Sequence, residues 1–306
     1  MCEETDARTQ IKGNLGETKM SAASDMMRKM CKEGDDKRDA GLTTPKDIER
    51  FDDIVYGEDE EWNVLDVYKP KQETGKNLPV IVSVHGGGWV YGDKERYQYY
   101  CMSLAQRGFA VVNFTYRLAP EFKFPAPLED TNSVITWIFE HGMEYGLDTE
   151  HIYMVGDSAG GNDLALYAAI CTNPDYAAKF DFHVPENFVP KAIALNCGAY
   201  ELNGDNPLIA DYLPNKGTPE EYAMINPLLY VTAAYPPTFV MTAAGDFLIG
   251  EAPKMVKVLE EKGVSYVSKC YGDAEHELGH VFHCNMKLPE AAVCNDEECE
   301  FFKSWK

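Results

Sequence analysis

The 306-residue chain lacks any run approaching about 18 uninterrupted apolar residues, so no segment is expected to cross a bilayer as a helix. Its opening residues, MCEETDARTQIKGN, contain no apolar h-region and read as a chain without a secretory signal. Basic side chains are scarce: 28 Lys and Arg stand against 50 Asp and Glu, a formal charge of −22. Such a balance repels nucleic-acid phosphates and anionic membrane surfaces, so neither is an expected partner. There is no C-x-x-C pair. The nine cysteines stand at positions 2, 31, 101, 171, 197, 270, 284, 294 and 299. An odd, scattered set suits free, mostly buried thiols in a reducing cytoplasm better than a disulfide framework. Cys294 and Cys299 bracket CNDEEC, a spacing open to a metal clip but equally suited to a surface helix. Internal repeats and low-complexity tracts are also missing, and a hydrophobic content of 45 % leaves room for a sizeable core.

From about residue 62 onward, short apolar runs alternate with helical patterns. WNVLDVYKP alternates like a half-exposed strand. LPVIVSVHGG and GFAVVNFTY are continuous apolar runs bounded by Gly and Pro, as expected of strands buried on both faces. Leu128, Val134, Ile135, Trp137 and Ile138 then recur with helical periodicity before Gly142. HIYMVGDSAGG reads as a strand entering a glycine turn, and DLALYAAI as the helix that follows. PKAIALNCG, PPTFVMTAAGD and VSYVSKCYG read as further buried strands, with the amphipathic EAPKMVKVLEEKG between the last two. Strands alternating with helices predict an α/β fold: a mostly parallel sheet covered on both faces. Two regions break the rhythm. Residues 1–50 are polar, with Met20, Ala23, Met26, Met27 and Met30 at helical spacing, a stripe expected to pack on the body and compatible with a lid. Residues 203–236, rich in Pro, Asn and Tyr, form an insertion between two strands.

The chemistry concentrates in a few segments. GDSAGG, Gly156 to Gly161, is G-x-S-x-G placed directly after a strand and before a helix, the setting of a nucleophile elbow. A sharp turn there lifts Ser158 Oγ above the sheet edge, and a helix N-terminus favours negative charge developing beside it. HGGGWVYGD, His85 to Asp93, also follows a buried strand. Consecutive glycines leave N–H groups free to point inward and, with the N–H of Ala159, to hold an oxyanion.

HGGGW, YRLAPEFKFPAPLED, GDSAGGN, NPLLYVTAAYPPTFVMTAAGDFL and GHVFH occur in the order seen in hormone-sensitive-lipase-like esterases, and residues 62–285 resemble that family. The resemblance implies an α/β-hydrolase fold, an eight-stranded, mostly parallel sheet with a small cap. The cap would comprise an N-terminal segment, residues 1–50, and the insertion at 203–236 within a hydrolase domain of 51–306. It implies hydrolysis of carboxylic esters, usually with short acyl chains, without metal or cofactor. A small-molecule ester is then the expected partner, and a homodimer through an edge strand is compatible with the family. Residue by residue, Ser158 becomes the nucleophile, Asp246 the triad acid and His280, in the H-x-F tripeptide His280-Val281-Phe282, the base. Gly87 and Gly88 join Ala159 as oxyanion donors. The order Ser158, Asp246, His280 is the chain order of α/β-hydrolases.

The segment also spells H-E-x-x-H, from His276 to His280, the signature of zinc peptidases. That chemistry needs both histidines on one face of a regular helix plus a third ligand. Gly279 inside the motif and Gly272 upstream weaken a helix, and His283 is too close to extend the motif. A zinc site would also leave Ser158, Asp246 and the glycine loop without a task. A third class, a catalytically silent hydrolase-fold protein that only binds a small ligand, is disfavoured because all three triad types remain. Departures from the family pattern are Asp163, where an apolar residue is usual, and DFLIGE in place of DPLRDE around Asp246. The long run from Tyr271 to His280 makes His276 the reserve base. His85 is expected to bond backbone, Asp157 to orient its neighbours and Asp130 to tie down its own loop.

Overall fold

The computed structural model describes residues 21–73, 75–204 and 206–306. The strands are β1 (Ile48–Val55), β2 (Val64–Pro70), β3 (Leu78–Val84), β4 (Ala110–Phe114), β5 (Leu147–Asp157), β6 (Ile193–Asn196), β7 (Thr238–Ala243) and β8 (Tyr266–Tyr271). They form one sheet in the order β1-β2-β4-β3-β5-β6-β7-β8. β2 runs antiparallel to both its neighbours, and β3 through β8 are parallel. The helices are α1 (Ala22–Asp39), α2 (Lys94–Ala105), α3 (Ala126–His141), α4 (Ser158–Thr172), α5 (Pro174–Ala177), α6 (Pro207–Tyr212), α7 (Pro219–Met224), α8 (Glu251–Lys262) and α9 (Pro289–Lys303).

The continuous apolar runs are strands because each feeds two cores at once. Val80, Val82 and Val84 of β3 enter one core while Ile81 enters the other, and in β5 Ile152 and Met154 oppose Tyr153 and Val155. This is the two-residue period of a strand buried on both faces. α3, α4 and α8 close one face through residues such as Leu128, Leu164, Leu166 and Met255. α2 and α9 close the other through Tyr100, Met102, Leu104, Cys299 and Phe302. The CNDEEC segment lies in α9, with Cys294 and Cys299 buried in that second core. All eight described cysteines are free, and five of them are buried. No described helix is long and apolar enough to cross a membrane.

β1 has no counterpart among the sequence-predicted strands. It is an edge strand carrying Glu49, Arg50, Asp52 and Asp53, with a register break between Phe51 and Ile54, so the apolar signal of a strand is absent. Charges and a bulge are how an edge avoids pairing with another chain. The strand straddles the 50/51 boundary expected for the N-terminal segment.

α1 docks differently from the expected methionine stripe. Met20 lies outside the described residues, Met26 and Met30 are exposed, and Met27 is half-buried. The docking face is the polar row Ser24, Arg28, Cys31, Asp35 and Arg38, one helical stripe. Ser24 donates to Asp211 of α6. Arg28 donates to the carbonyls of Val90 and Ala119, Asp35 accepts from Tyr91, and Arg38 reaches the carbonyl of Arg96. Specific polar partners outweigh unbranched apolar chains in setting the helix's rotation, and Met27 is carried to the rim of the glycine loop.

The fold positions Ser158 by close backbone approach. At the β5–α4 turn Ser158 has a φ of 52°, a left-handed conformation that costs a non-glycine residue on the order of 1–3 kcal/mol. The turn is possible only because Gly160 passes directly over the end of β3: a Cβ there would stand 2.2 Å from the carbonyl oxygen of Val84 and 2.3 Å from that of His85. Behind the sheet, the buried Glu298 of α9 accepts from Tyr100 of α2 at 3.0 Å and from Asn196 of β6 at 2.6 Å. Burial pushes its carboxyl up to about 7.

Two outcomes are expected. Gly160→Ala should lose about 3 kcal/mol or more in urea unfolding, because the obstructing atoms are backbone and cannot rotate away. For Glu298 the folded protein holds the proton between about 4.5 and 7 while the unfolded chain releases it, so this group favours folding least at high pH. The stability of Glu298→Gln relative to wild type should therefore rise between pH 5 and pH 8, by up to about 3 kcal/mol at 1.36 kcal/mol per unit. Paired urea titrations at the two pH values check this.

Candidate active site

Three expected site residues, distant in sequence, converge at the carboxyl ends of β5, β7 and β8. Ser158 stands at the start of α4, Asp246 in the turn after β7 and His280 in the loop after β8. His280 Nε2 lies 2.9 Å from Ser158 Oγ, and His280 Nδ1 lies 2.7 Å from Asp246 Oδ1. Asp246 is buried and fixed from two further sides: the backbone N–H of Leu248 donates to Oδ1 at 2.8 Å and Thr242 Oγ1 donates to Oδ2 at 3.0 Å. Burial alone would push its carboxyl up, but the bonds from His280 and Leu248 hold it below the usual carboxylate range. The charged acid therefore selects the imidazole tautomer with hydrogen on Nδ1, leaving Nε2 to accept from Ser158.

The glycine loop lies alongside. Gly87 has a φ of 123° and Gly88 a φ of 62°. A Cβ on Gly87 would stand 1.9 Å from the carbonyl oxygen of Tyr91, so only glycine fits. The N–H groups of Gly87 and Gly88 have no acceptor among the described residues, and that of Ala159 sits in the first turn of α4, where helical acceptors are missing. Ser158, Gly87, Gly88 and His280 are partly exposed while Ala159 and Asp246 are buried, so the arrangement opens to solvent on one side. Met27 of α1 and Leu208 of α6 stand over Gly88, 3.3 and 3.6 Å from where its Cβ would be.

Buried polar side chains hold this loop. His85 donates from Nδ1 to the carbonyl of Gly86 at 2.8 Å and stacks on Tyr116 at 4.0 Å. Desolvation depresses it to about 4, so it stays neutral, in the backbone-bonding role expected of it. Tyr97 accepts from the N–H of Gly86 and donates to Asp157 at 2.7 Å, which makes Asp157 an orienting group. Asp130 accepts from the N–H and guanidinium of Arg117, tying its own loop. Asp163, the departure without an expected role, is buried and accepts from Trp89 Nε1 and from Tyr212 O–H, each at 3.1 Å. Trp89 belongs to the glycine loop and Tyr212 to α6, and their rings stack at 4.9 Å. Its burial pushes the carboxyl up to about 7. Tyr212 gave no signal in sequence, because a tyrosine in an irregular insertion has no periodicity to mark it.

The H-E-x-x-H segment is an irregular loop without a helix, so its two histidines share no helical face. His276 is 79 % exposed and faces Glu290 at 3.9 Å, far in character from the half-buried His280. Among the described residues two groups could offer a metal three ligand atoms within 4.8 Å: Cys197 with Asp246 and His280, and Asp157 with His283 and Cys284. In the first, Asp246 and His280 already bond each other. In both, burial pushes the thiol up, away from the thiolate a metal needs.

The BD-FAE family model matches residues 65–252. Esterase LipQ of Mycobacterium tuberculosis is 30 % identical over 230 residues, covering 71 % of this chain and 54 % of that protein. Carboxylesterase NlhH of the same species is 30 % identical over 206 residues, 62 % of this chain and 63 % of its own. The chain thus spans half to two thirds of the length of these curated relatives. Among solved structures, esterase B of Lactobacillus rhamnosis superposes with a TM-score of 0.84 at 26 % identity over 92 % of this chain and 94 % of that one. Its tributyrin-phosphonate-inhibited form superposes at 0.85 and 25 % identity over 98 % and 96 %. With the eight-stranded sheet and the motifs in order upon it, the chain belongs to the BD-FAE family and to the hormone-sensitive-lipase-like group of α/β-hydrolases.

Proposed function

We propose that this chain is a serine carboxylesterase that hydrolyses short-chain acyl esters, acetyl-like ones foremost, through an acyl-enzyme. The observation that carries the proposal is the unbroken line Asp246–His280–Ser158, with spacings of 2.7 and 2.9 Å. Ser158 Oγ attacks the ester carbonyl carbon as its proton passes to His280 Nε2. The imidazolium is stabilised by Asp246, and the carbonyl oxygen, now carrying the negative charge, meets the N–H groups of Gly87, Gly88 and Ala159. Collapse breaks the bond to the alcohol oxygen, which leaves with the proton from His280. Water, deprotonated by the same nitrogen, then releases the acid and restores Ser158. No cofactor or metal enters either half-reaction.

Short acyl chains are favoured by the enclosure of the glycine loop. Met27 and Leu208 stand over Gly88, so α1 and the 203–236 insertion act as the cap and limit the space beside the oxyanion donors. Asp163 gives that cap a fixed relation to the loop, since it holds Trp89 and Tyr212 together. The free, largely buried thiols suit a reducing compartment such as the cytoplasm.

With p-nitrophenyl acetate, Ser158→Ala and His280→Ala should each lose at least about 10³-fold in kcat, and His276→Ala should stay within about twofold of wild type. Turnover should survive excess chelator. A substrate series from acetyl to decanoyl should fall off in kcat/KM beyond the short chains. A wild-type chain that binds but never turns over these esters would overturn the proposal. Asp163→Ala leaves Trp89 Nε1–H and Tyr212 O–H unpaired in the interior, at a cost of about 2–4 kcal/mol in unfolding. Because Trp89 carries the glycine loop, kcat/KM should fall by up to about 10²-fold, the cost of a misplaced catalytic group.

A further inference from the structure

Phe247 is the residue whose placement the esterase reading leaves unused. It follows Asp246 directly, is 76 % exposed, and its ring centroid lies 4.3 Å from that of His280 at an angle of 45°. Leu248, the next residue, is turned inward and supplies the N–H that holds Asp246. The turn is therefore anchored on either side of a phenyl group that is offered to solvent. A large aromatic left in water costs the hydrophobic stabilisation it would gain by burial, which makes it informative where it stands beside a reactive group.

The chemistry says what passes there. The leaving oxygen takes its proton from His280 Nε2 and must come within about 3 Å of that atom. Any substituent on this oxygen then lies within van der Waals reach of whatever flanks the imidazole. The carbonyl oxygen, by contrast, is directed towards Gly87, Gly88 and Ala159, with Met27 and Leu208 standing over Gly88. The two halves of an ester thus meet different apolar surfaces. We propose, resting on the esterase reading, that Phe247 is the contact surface for the alcohol portion and selects esters of aromatic or bulky apolar alcohols over those of small aliphatic ones. Ring-on-ring contact in offset or edge geometry supplies the preference.

The test compares Phe247→Ala with wild type on phenyl acetate and ethyl acetate, which share an acyl group, and on phenyl butyrate, which shares the alcohol. kcat/KM is the quantity to read, because it reports acylation, the only half-reaction that contains the alcohol. The phenyl-to-ethyl ratio should drop about tenfold in the variant, the phenyl acetate-to-butyrate ratio should stay within about twofold, and Phe247→Tyr should restore the first ratio. The pH midpoint of kcat/KM should not move. An unchanged phenyl-to-ethyl ratio overturns the proposal. So does an equal loss on both acetates with a shifted midpoint, which would make the ring a brace for His280 alone. Wild-type protein inert to all three esters would instead overturn the esterase reading itself.

Discussion

The site depends on how closely the backbone passes itself at the end of β3. Gly160 has no room for a methyl group beneath it, because the carbonyls of Val84 and His85 occupy that volume. Gly156, one turn earlier, is equally confined by the carbonyl of Gly160, 2.4 Å from where its Cβ would be. This double approach brings the start of α4 against the strand that leads into the glycine loop. It therefore sets the positions of Ser158, Ala159, Gly87 and Gly88 relative to one another before any substrate arrives. Preorganised donors are worth more than donors that must be gathered, since no reorganisation is spent at the moment of reaction. The left-handed φ of Ser158 is the local strain that the packing imposes and sustains.

Around this contact the protein uses buried acids as fasteners. Asp157 holds Tyr97 beneath Gly86, Asp163 joins Trp89 to Tyr212, and Glu298 joins α2 to β6. Burial pushes these three carboxyls up to about 6, 7 and 7. Asp246 differs although it too is buried, because an imidazole and a backbone N–H favour its charged form. Carboxyl groups thus serve two ends, set by their partners: a low one that orients His280, and higher ones that tie elements together. In a chain with a net charge of −22, acids that can hold a proton also spare the interior some of the repulsion.

What could be read in the sequence follows the strength of the periodic signal. The seven strands from β2 to β8 are legible because each carries an apolar run or alternation, although β8, expected to be buried, is a partly exposed edge strand. α3 and α8 are legible because each presents an apolar stripe, and α4 because a largely apolar run follows the glycine turn. β1 is not, since an edge strand built of Glu, Arg and Asp looks like a loop. α2 escapes too: its first two turns offer only tyrosines with polar tips among Lys, Glu, Arg and Gln, and its apolar residues cluster at its end. The site was open to a reading of motifs, and the structure brings Ser158, Asp246 and His280 to hydrogen-bonding distance. The alternative H-E-x-x-H pattern could be discounted by asking whether Gly279 and Gly272 would permit a helix, and what task it would leave to Ser158 and the glycine loop. Asp163's partners could not be found from sequence, because Tyr212 lies in an insertion whose folding no pattern announces. The methionine row on α1 misleads for a related reason. Apolar spacing marks a docking face only where no polar stripe makes better bonds, and Arg28 and Arg38 each make several.

A fold that retained only ligand binding would have no use for the most costly features seen here. Binding a small molecule needs a shaped cavity, yet it needs neither a serine held at a φ of 52° nor a charged carboxylate desolvated behind an imidazole. Each of these carries a free-energy penalty in the resting protein, and the proposed reaction is where it is returned, as charge moves from Ser158 through His280. In the reaction proposed for this chain, Asp246 stabilises an imidazolium that exists only after proton transfer, and the N–H groups of Gly87, Gly88 and Ala159 receive a negative oxygen that only nucleophilic attack creates. Strain and desolvation placed together at Ser158 and Asp246 therefore support the proposed esterase over a fold that only binds a ligand.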